Sequence, residues 1–298
     1  MVKVALLREL GSWVPRHISR ISIPNSMHQS LSTALFVFGL CVTQAPTQLS
    51  AQSAPSDTGS TSLVRSRDAV AALGVAAIAV GVSAFDERLA RSFQRPSAQS
   101  NGMLKGASNV FNAIGFPGSI VIIAGTYFFG IAEHSRPIAS LGMHTGEAVV
   151  LGGILAEGLQ MAVGRARPQR DIGNAFDFRA AHGFSDEDYT SLPSAHVTVA
   201  FAAATAASRE VRRSWPGAAK YVTPATYSLA SLVGLSRMYK NKHWASDVVA
   251  AAGLGTYSAL LFDRYNESRP DNVFNRLFLP TSISAVGRGI AVTWSLAR

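Results

Sequence analysis

A chain of 298 residues has room for one large domain or two small ones, and only 15% of it is charged against 48% hydrophobic, well under the roughly 25% charged share of soluble domains. Few positions therefore need water, so the protein has either a large core or a surface that faces lipid. The formal charge of +9 suits anionic partners, but the basic residues are scattered rather than striped along one helix, which argues against nucleic acid. A single cysteine, Cys41, excludes a disulfide framework and a cysteine metal site.

Residues 1–51 read as an export signal or an N-terminal hydrophobic segment. Arg16 and Arg20 precede an apolar run over 31–42 that is short for a bilayer span, and Leu49-Ser50-Ala51 before Gln52 has the form of a signal-peptidase site. A translation start at Met27 is compatible with this reading. Leu40 directly before Cys41 argues against a lipid-modified cysteine. Residues 52–67, rich in Ser, Thr, Gln and Ala, read as a linker.

Residues 68–265 alternate long apolar runs with short polar punctuation. The runs cover 69–85, 110–132, 139–163, 197–207, 221–235 and 248–262. Their length and their Ala, Leu and Gly content predict helices, and short connections predict an all-α six-helix bundle. Ser194 is placed to cap the fourth helix, and Pro216-Gly217 breaks the chain before the fifth. The tail, 266–298, differs: Ile283 and Ala285, then Ile290, Val292, Trp294 and Leu296, alternate around Gly287-Arg288-Gly289, the pattern of a β-hairpin.

Three segments carry the unusual residues: 160–168 with Arg165 and Arg167, 193–196 with Ser194 and His196, and 236–247 with Arg237, His243 and Asp247. In an antiparallel bundle all three fall at one end. Arg167 and Arg237 offer planar forks for phosphate oxygens. Ser194 and the free amides of a helix start form an anion nest. His243 and Asp247 are four residues apart, so a carboxylate can hold one ring nitrogen and leave the other free to attack. His196 supplies a second imidazole for proton delivery. No acidic cluster suggests a metal, so the expected chemistry is free of metal and cofactor. Singly, each has a plainer reading, as a solvated helix end, a helix-start residue or a structural pair; gathered at one end they point to a site.

These segments resemble the type 2 phosphatidic acid phosphatase superfamily, which also holds bacterial acid phosphatases and vanadium haloperoxidases. Its pattern is K-x-x-x-x-x-x-R-P, then P-S-G-H, then S-R-x-x-x-x-x-H-x-x-x-D. Ser236, Arg237, His243 and Asp247 match the third part in full; Pro193, Ser194 and His196 match the second, with Ala195 for glycine; Arg167 and Pro168 match the first, with Gln160 for lysine. The resemblance implies that His243 attacks phosphorus to form a phosphohistidine while Asp247 orients the ring. It implies that His196 protonates the leaving group, and that Arg167, Arg237, Ser194, Ala195 and Gln160 line the phosphate site. Gln160 brings no charge, whereas Ala195 keeps its amide.

The expected substrate is a phosphorylated lipid or a small phosphoester, and the expected place is the cell envelope, facing the periplasm and associated with a membrane. The alternatives are a vanadate-dependent haloperoxidase and a non-catalytic envelope protein that binds anionic lipid.

Overall fold

The computed structural model describes residues 62–280, 282–286 and 289–293; the expected export signal, and the expected linker as far as residue 61, lie outside them. Helix α1, Ser66–Ser83, is followed by three short helices, α2 Asp86–Phe93, α3 Pro96–Gln99 and α4 Gly102–Ala113. A kinked segment, Ile114–Gly118, leads into α5, Ser119–Ala132; Phe116 there is extended (φ −162°, ψ 130°) and breaks the helix. Then come α6 Arg136–Val163, α7 Ala195–Ser214, α8 Pro216–Tyr239, α9 Ala245–Ser268 and α10 Val273–Phe278. Two strands, β1 Ser282–Val286 and β2 Gly289–Thr293, pair antiparallel with Ser284 opposite Ala291. Most helices run past the apolar runs that announce them, because their last turns carry polar residues such as Arg212 and Arg237.

Helix α7 is the axis of the bundle. Val197, Phe201 and Ala204 on it are buried with Val248, Ala251 and Ala252 of α9, and burying a Val or Phe side chain contributes about 1.5–3 kcal/mol. Small residues allow the close approach: a Cβ on Gly255 of α9 would lie 2.1 Å from the Thr198 carbonyl oxygen. Helix α1 is tied to α9 by the bidentate pair Arg264 to Asp68, at 2.5 and 2.8 Å.

The outer helices are apolar where they meet solvent. Val70, Leu73, Val121, Phe128 and Ile154 are exposed. Among the described residues, four helical stretches, Ser66–Ser83, Gly102–Ala132, Arg136–Val163 and Ala245–Ser268, are long and apolar enough to cross a membrane. Such an exterior suits lipid rather than water. The antiparallel order brings the end of α6, the start of α7, the end of α8 and the start of α9 to one end, where α2 joins them.

Candidate active site

The site is built on a turn and a buried ion cluster. Gly164 ends α6 with a left-handed backbone, φ 62°, and a Cβ there would fall 1.8 Å from the Arg179 carbonyl oxygen, so only glycine fits. That turn sends Arg165 inward. Its Nη1 donates to Asp247 Oδ1 (2.5 Å) and Ser246 Oγ (2.7 Å), its Nη2 to Asp86 Oδ2 (2.8 Å), and its Nε to the Ala175 carbonyl (3.1 Å). Asp86 and Asp247 are fully buried. One guanidinium thus locks α2, the 165–175 loop and α9 together. Sequence reasoning noticed Arg165 but gave it no part in the site, and it passed over Asp86 and Ser191. Only the tertiary fold shows that these groups face inward.

His243 is 3% exposed and stands just before α9. Its Nδ1 lies 2.7 Å from the Ser191 carbonyl oxygen. A carbonyl only accepts, so Nδ1 carries the proton and Nε2 the lone pair. Burial, then the nearby Arg237 and Arg167, hold this imidazole well below its ordinary value of 6.5.

The expected contact between Asp247 and His243 is corrected here. Asp247 sits in the first turn of α9 and reaches back to its start, accepting from the Trp244 amide (2.8 Å), the Ser191 hydroxyl (2.5 Å) and Arg165. It reaches His243 only by way of Ser191, whose hydroxyl it holds and whose carbonyl holds the ring.

Arg167, Arg237 and Ser194 converge beside the two imidazoles. Arg167 donates to Thr190 Oγ1 (2.7 Å) and Arg237 to Asn112 Oδ1. Arg167 Nε, Arg237 Nε and Ser194 Oγ are buried without a hydrogen-bond partner among the described residues. Neither arginine has a carboxylate partner, and their mutual repulsion, after burial, lowers Arg237 to about 10. His196, in the first turn of α7, is lowered to about 4 by burial and then by Arg237 and Arg167. The ring of Phe116 meets His196 edge-on, with centroids 5.9 Å apart.

One further expectation is corrected, and Gln160 has a partner that its motif does not predict. Ser194 occupies the cap position of α7, but its hydroxyl makes no capping bond and is left facing the site. Gln160 is buried and donates Nε2 to the Pro193 carbonyl oxygen at 2.5 Å; it braces the 193–196 turn and does not present that bond to the phosphate site. Ala195 needs no left-handed backbone, which among the described non-glycine residues occurs at His134, Ala181 and Asn241. No three of His, Cys, Asp and Glu gather to hold a metal ion among the described residues.

Residues 141–270 match the family model of the PAP2 superfamily. Over 106 residues, 36% of this chain, the sequence is 32% identical to a lipid A 1-phosphatase from Porphyromonas gingivalis, and the match takes in 19% of that relative's length. Among solved structures, a PAP2-type phosphatidylglycerolphosphate phosphatase from Bacillus subtilis superposes with a TM-score of 0.48 at 18% identity, covering 70% of this chain and 98% of that one. Arg165, Arg167, Ser191, His196, Arg237, His243 and Asp247 all lie inside the family match, whereas Asp86, Asn112 and Phe116 lie before it.

Proposed function

We propose that the chain belongs to the PAP2 superfamily, whose family model residues 141–270 match, and that it is a membrane-associated phosphatase that hydrolyses lipid phosphate monoesters or diphosphates through a phosphohistidine. The observation that supports this best is the pair Arg167 and Arg237, buried with unpartnered Nε atoms beside Ser194 Oγ. Two guanidinium groups left without carboxylates are a site for an anion with several oxygens.

In the first step His243 Nε2 attacks phosphorus. An N–P bond forms, the bond from phosphorus to the leaving oxygen breaks, and His196 gives that oxygen a proton. Burial, and then Arg237 and Arg167, hold His196 at about 4; a phosphate dianion between the arginines offsets their share and favours the protonated ring as substrate binds. In the second step neutral His196 takes a proton from water, the water oxygen bonds to phosphorus, and the N–P bond breaks to release phosphate. Arg167, Arg237, Ser194 and the first amides of α7, Ala195 included, hold the equatorial oxygens throughout. Asp247 serves as a positioning residue through Ser191.

The far end of the bundle carries Arg209, Arg212, Arg213 and Lys220 around the α7–α8 connection, a short basic loop of the kind found on the cytoplasmic side. This supports a site that faces the periplasm. Phosphate-labelled lipid substrate, quenched in alkali so that an N–P bond survives, should leave label on His243 and none on His243→Ala, and EDTA should not change the rate. Wild-type turnover in His243→Ala would overturn the mechanism.

A further inference from the structure

An apolar groove of about 860 Å³ runs between α5 and α6. Its upper end is lined by Phe116, whose ring touches His196. Its lower end is lined by Tyr127, Met143 and Phe278. The two walls form a wedge. At the foot they touch, since a Cβ on Gly142 would fall 2.4 Å from the Tyr127 amide nitrogen; at Gly146 the nearest atom is Ile123 Cγ2 at 3.4 Å; at Gly158 nothing lies within 4 Å. The groove is therefore closed below and opens toward the phosphate site. Its outer lips, Phe128, Val150 and Ile154, are exposed on stretches apolar enough to cross a membrane, so a lipid chain enters sideways without meeting water.

The foot has a built stop. The Tyr127 hydroxyl donates to the Phe278 carbonyl oxygen at 2.6 Å. The next residue, Leu279, is buried with Ala139 and Met143 against Tyr127 and Ile131. Helix α10 is thus pinned under the groove with the Phe278 ring at its floor. From Met143 to Met161 the α6 wall is about 27 Å long at 1.5 Å per residue, against about 15 Å for the hydrocarbon of one leaflet.

We propose that this groove holds one acyl chain of the substrate lipid, and that Tyr127 and Phe278 set the longest chain it admits. The proposal rests on the reading of the site as a lipid phosphatase. It names Tyr127 and Phe278 as specificity-determining residues remote from the reacting atoms. A chain leaving a micelle for the groove passes from one apolar medium to another, so added methylenes gain little while there is room. Beyond the stop the methyl end must fold back or push α10 away.

The test is a series of lipid phosphates with one headgroup and increasing chain length, at fixed surface fraction in mixed micelles, with the full chain. In the wild type, kcat/KM should stay level with length and then fall about tenfold once the chain exceeds the groove. Phe278→Ala should move the fall to longer chains. Gly153→Phe should move it to shorter ones, because a Cβ on Gly153 meets nothing nearer than Val199 Cγ2 at 3.8 Å and its ring extends into the groove. Hydrolysis of a small aryl phosphate, which needs no groove, should be unchanged in both variants. The same series is also measured as Kd on His243→Ala, which reads the groove without turnover. A level profile with no fall, or a fall that neither variant moves, overturns the proposal while aryl phosphate hydrolysis leaves the phosphatase reading standing. A fall in affinity that moves as stated, in a protein that hydrolyses no aryl phosphate, upholds the groove and sinks the phosphatase reading.

Discussion

Both ends of the bundle gather arginines and histidine, and they use them in opposite ways. At the far end, Arg213 donates to Glu210, Asp263 and Glu267 at 2.5, 2.9 and 2.9 Å. Arg209 pairs with Asp263 and Glu267. His144 lies between Glu210 Oε1 at 2.6 Å and Asn275 Oδ1 at 3.1 Å. Arg209, Arg213 and His144 each have a carboxylate there. At the near end Arg165 takes up Asp86 and Asp247, and neither Arg167 nor Arg237 forms an ion pair among the described residues. Residue types alone do not mark a site; uncompensated charge held in place does. The far cluster fastens α6, α7, α9 and α10, while the near one holds positive charge without a paired carboxylate, the feature on which the proposed phosphate site rests.

The largest effect expected concerns the cluster that frees the near arginines. Asp86→Ala leaves Arg165 with a lost partner in a buried place and should cost about 3–5 kcal/mol of stability, read from chemical denaturation. Glu267→Ala at the far end, where the carboxylate is 51% exposed, should cost no more than about 1 kcal/mol. Equal losses would break the contrast. Next in size, Arg237→Ala should lower kcat about a hundredfold, the usual scale for removing a donor aimed at transition-state charge, whereas Arg213→Ala should leave kcat unchanged. A similar loss of kcat in both would mean that the arginines of the near end are structural too.

The smallest effect is a titration. His243 is lowered by burial and then by Arg237 and Arg167, so its ring should remain neutral in nitrogen NMR as pH falls through 6.5. The unfolded chain takes up that proton near 6.5 and the fold does not, so this group makes stability fall as pH drops below 6.5. Arg237→Ala should raise the His243 midpoint and shrink that acid-side loss. A midpoint unmoved by the substitution would separate the two groups.

The six long elements were legible because their apolar runs exceed any strand. The short helices α2 to α4 were not: α2 is mostly polar, and α4 starts from an Asn101 cap whose Oδ1 accepts from the Met103 and Leu104 amides. In the site, the spacing of arginines and histidines identified which groups meet. It failed for Asp247 because the four-residue rule needs both residues on one helix, and His243 precedes α9. It did not disclose the bond from Gln160 to the Pro193 carbonyl, a main-chain partner that no side-chain pattern reveals. Arg165 and Arg167, two apart, look alike in sequence; the Gly164 turn sends one to the ion cluster and the other to the anion site.

The partner of His243 Nδ1 is the carbonyl oxygen of residue 191, and a peptide carbonyl is not specified by any codon. Exchanging the Ser191 side chain deletes its hydroxyl bond to Asp247 but not the group that sets which ring nitrogen bears hydrogen. Inheritance of the reactive tautomer is therefore spread over whatever fixes the path of that loop: the Ser191 amide on the Arg165 carbonyl at 3.0 Å, and the glycine at 164 that turns the chain toward it. A genetic screen for loss of activity should then find lesions at these distant supports as well as at the fully buried position 191.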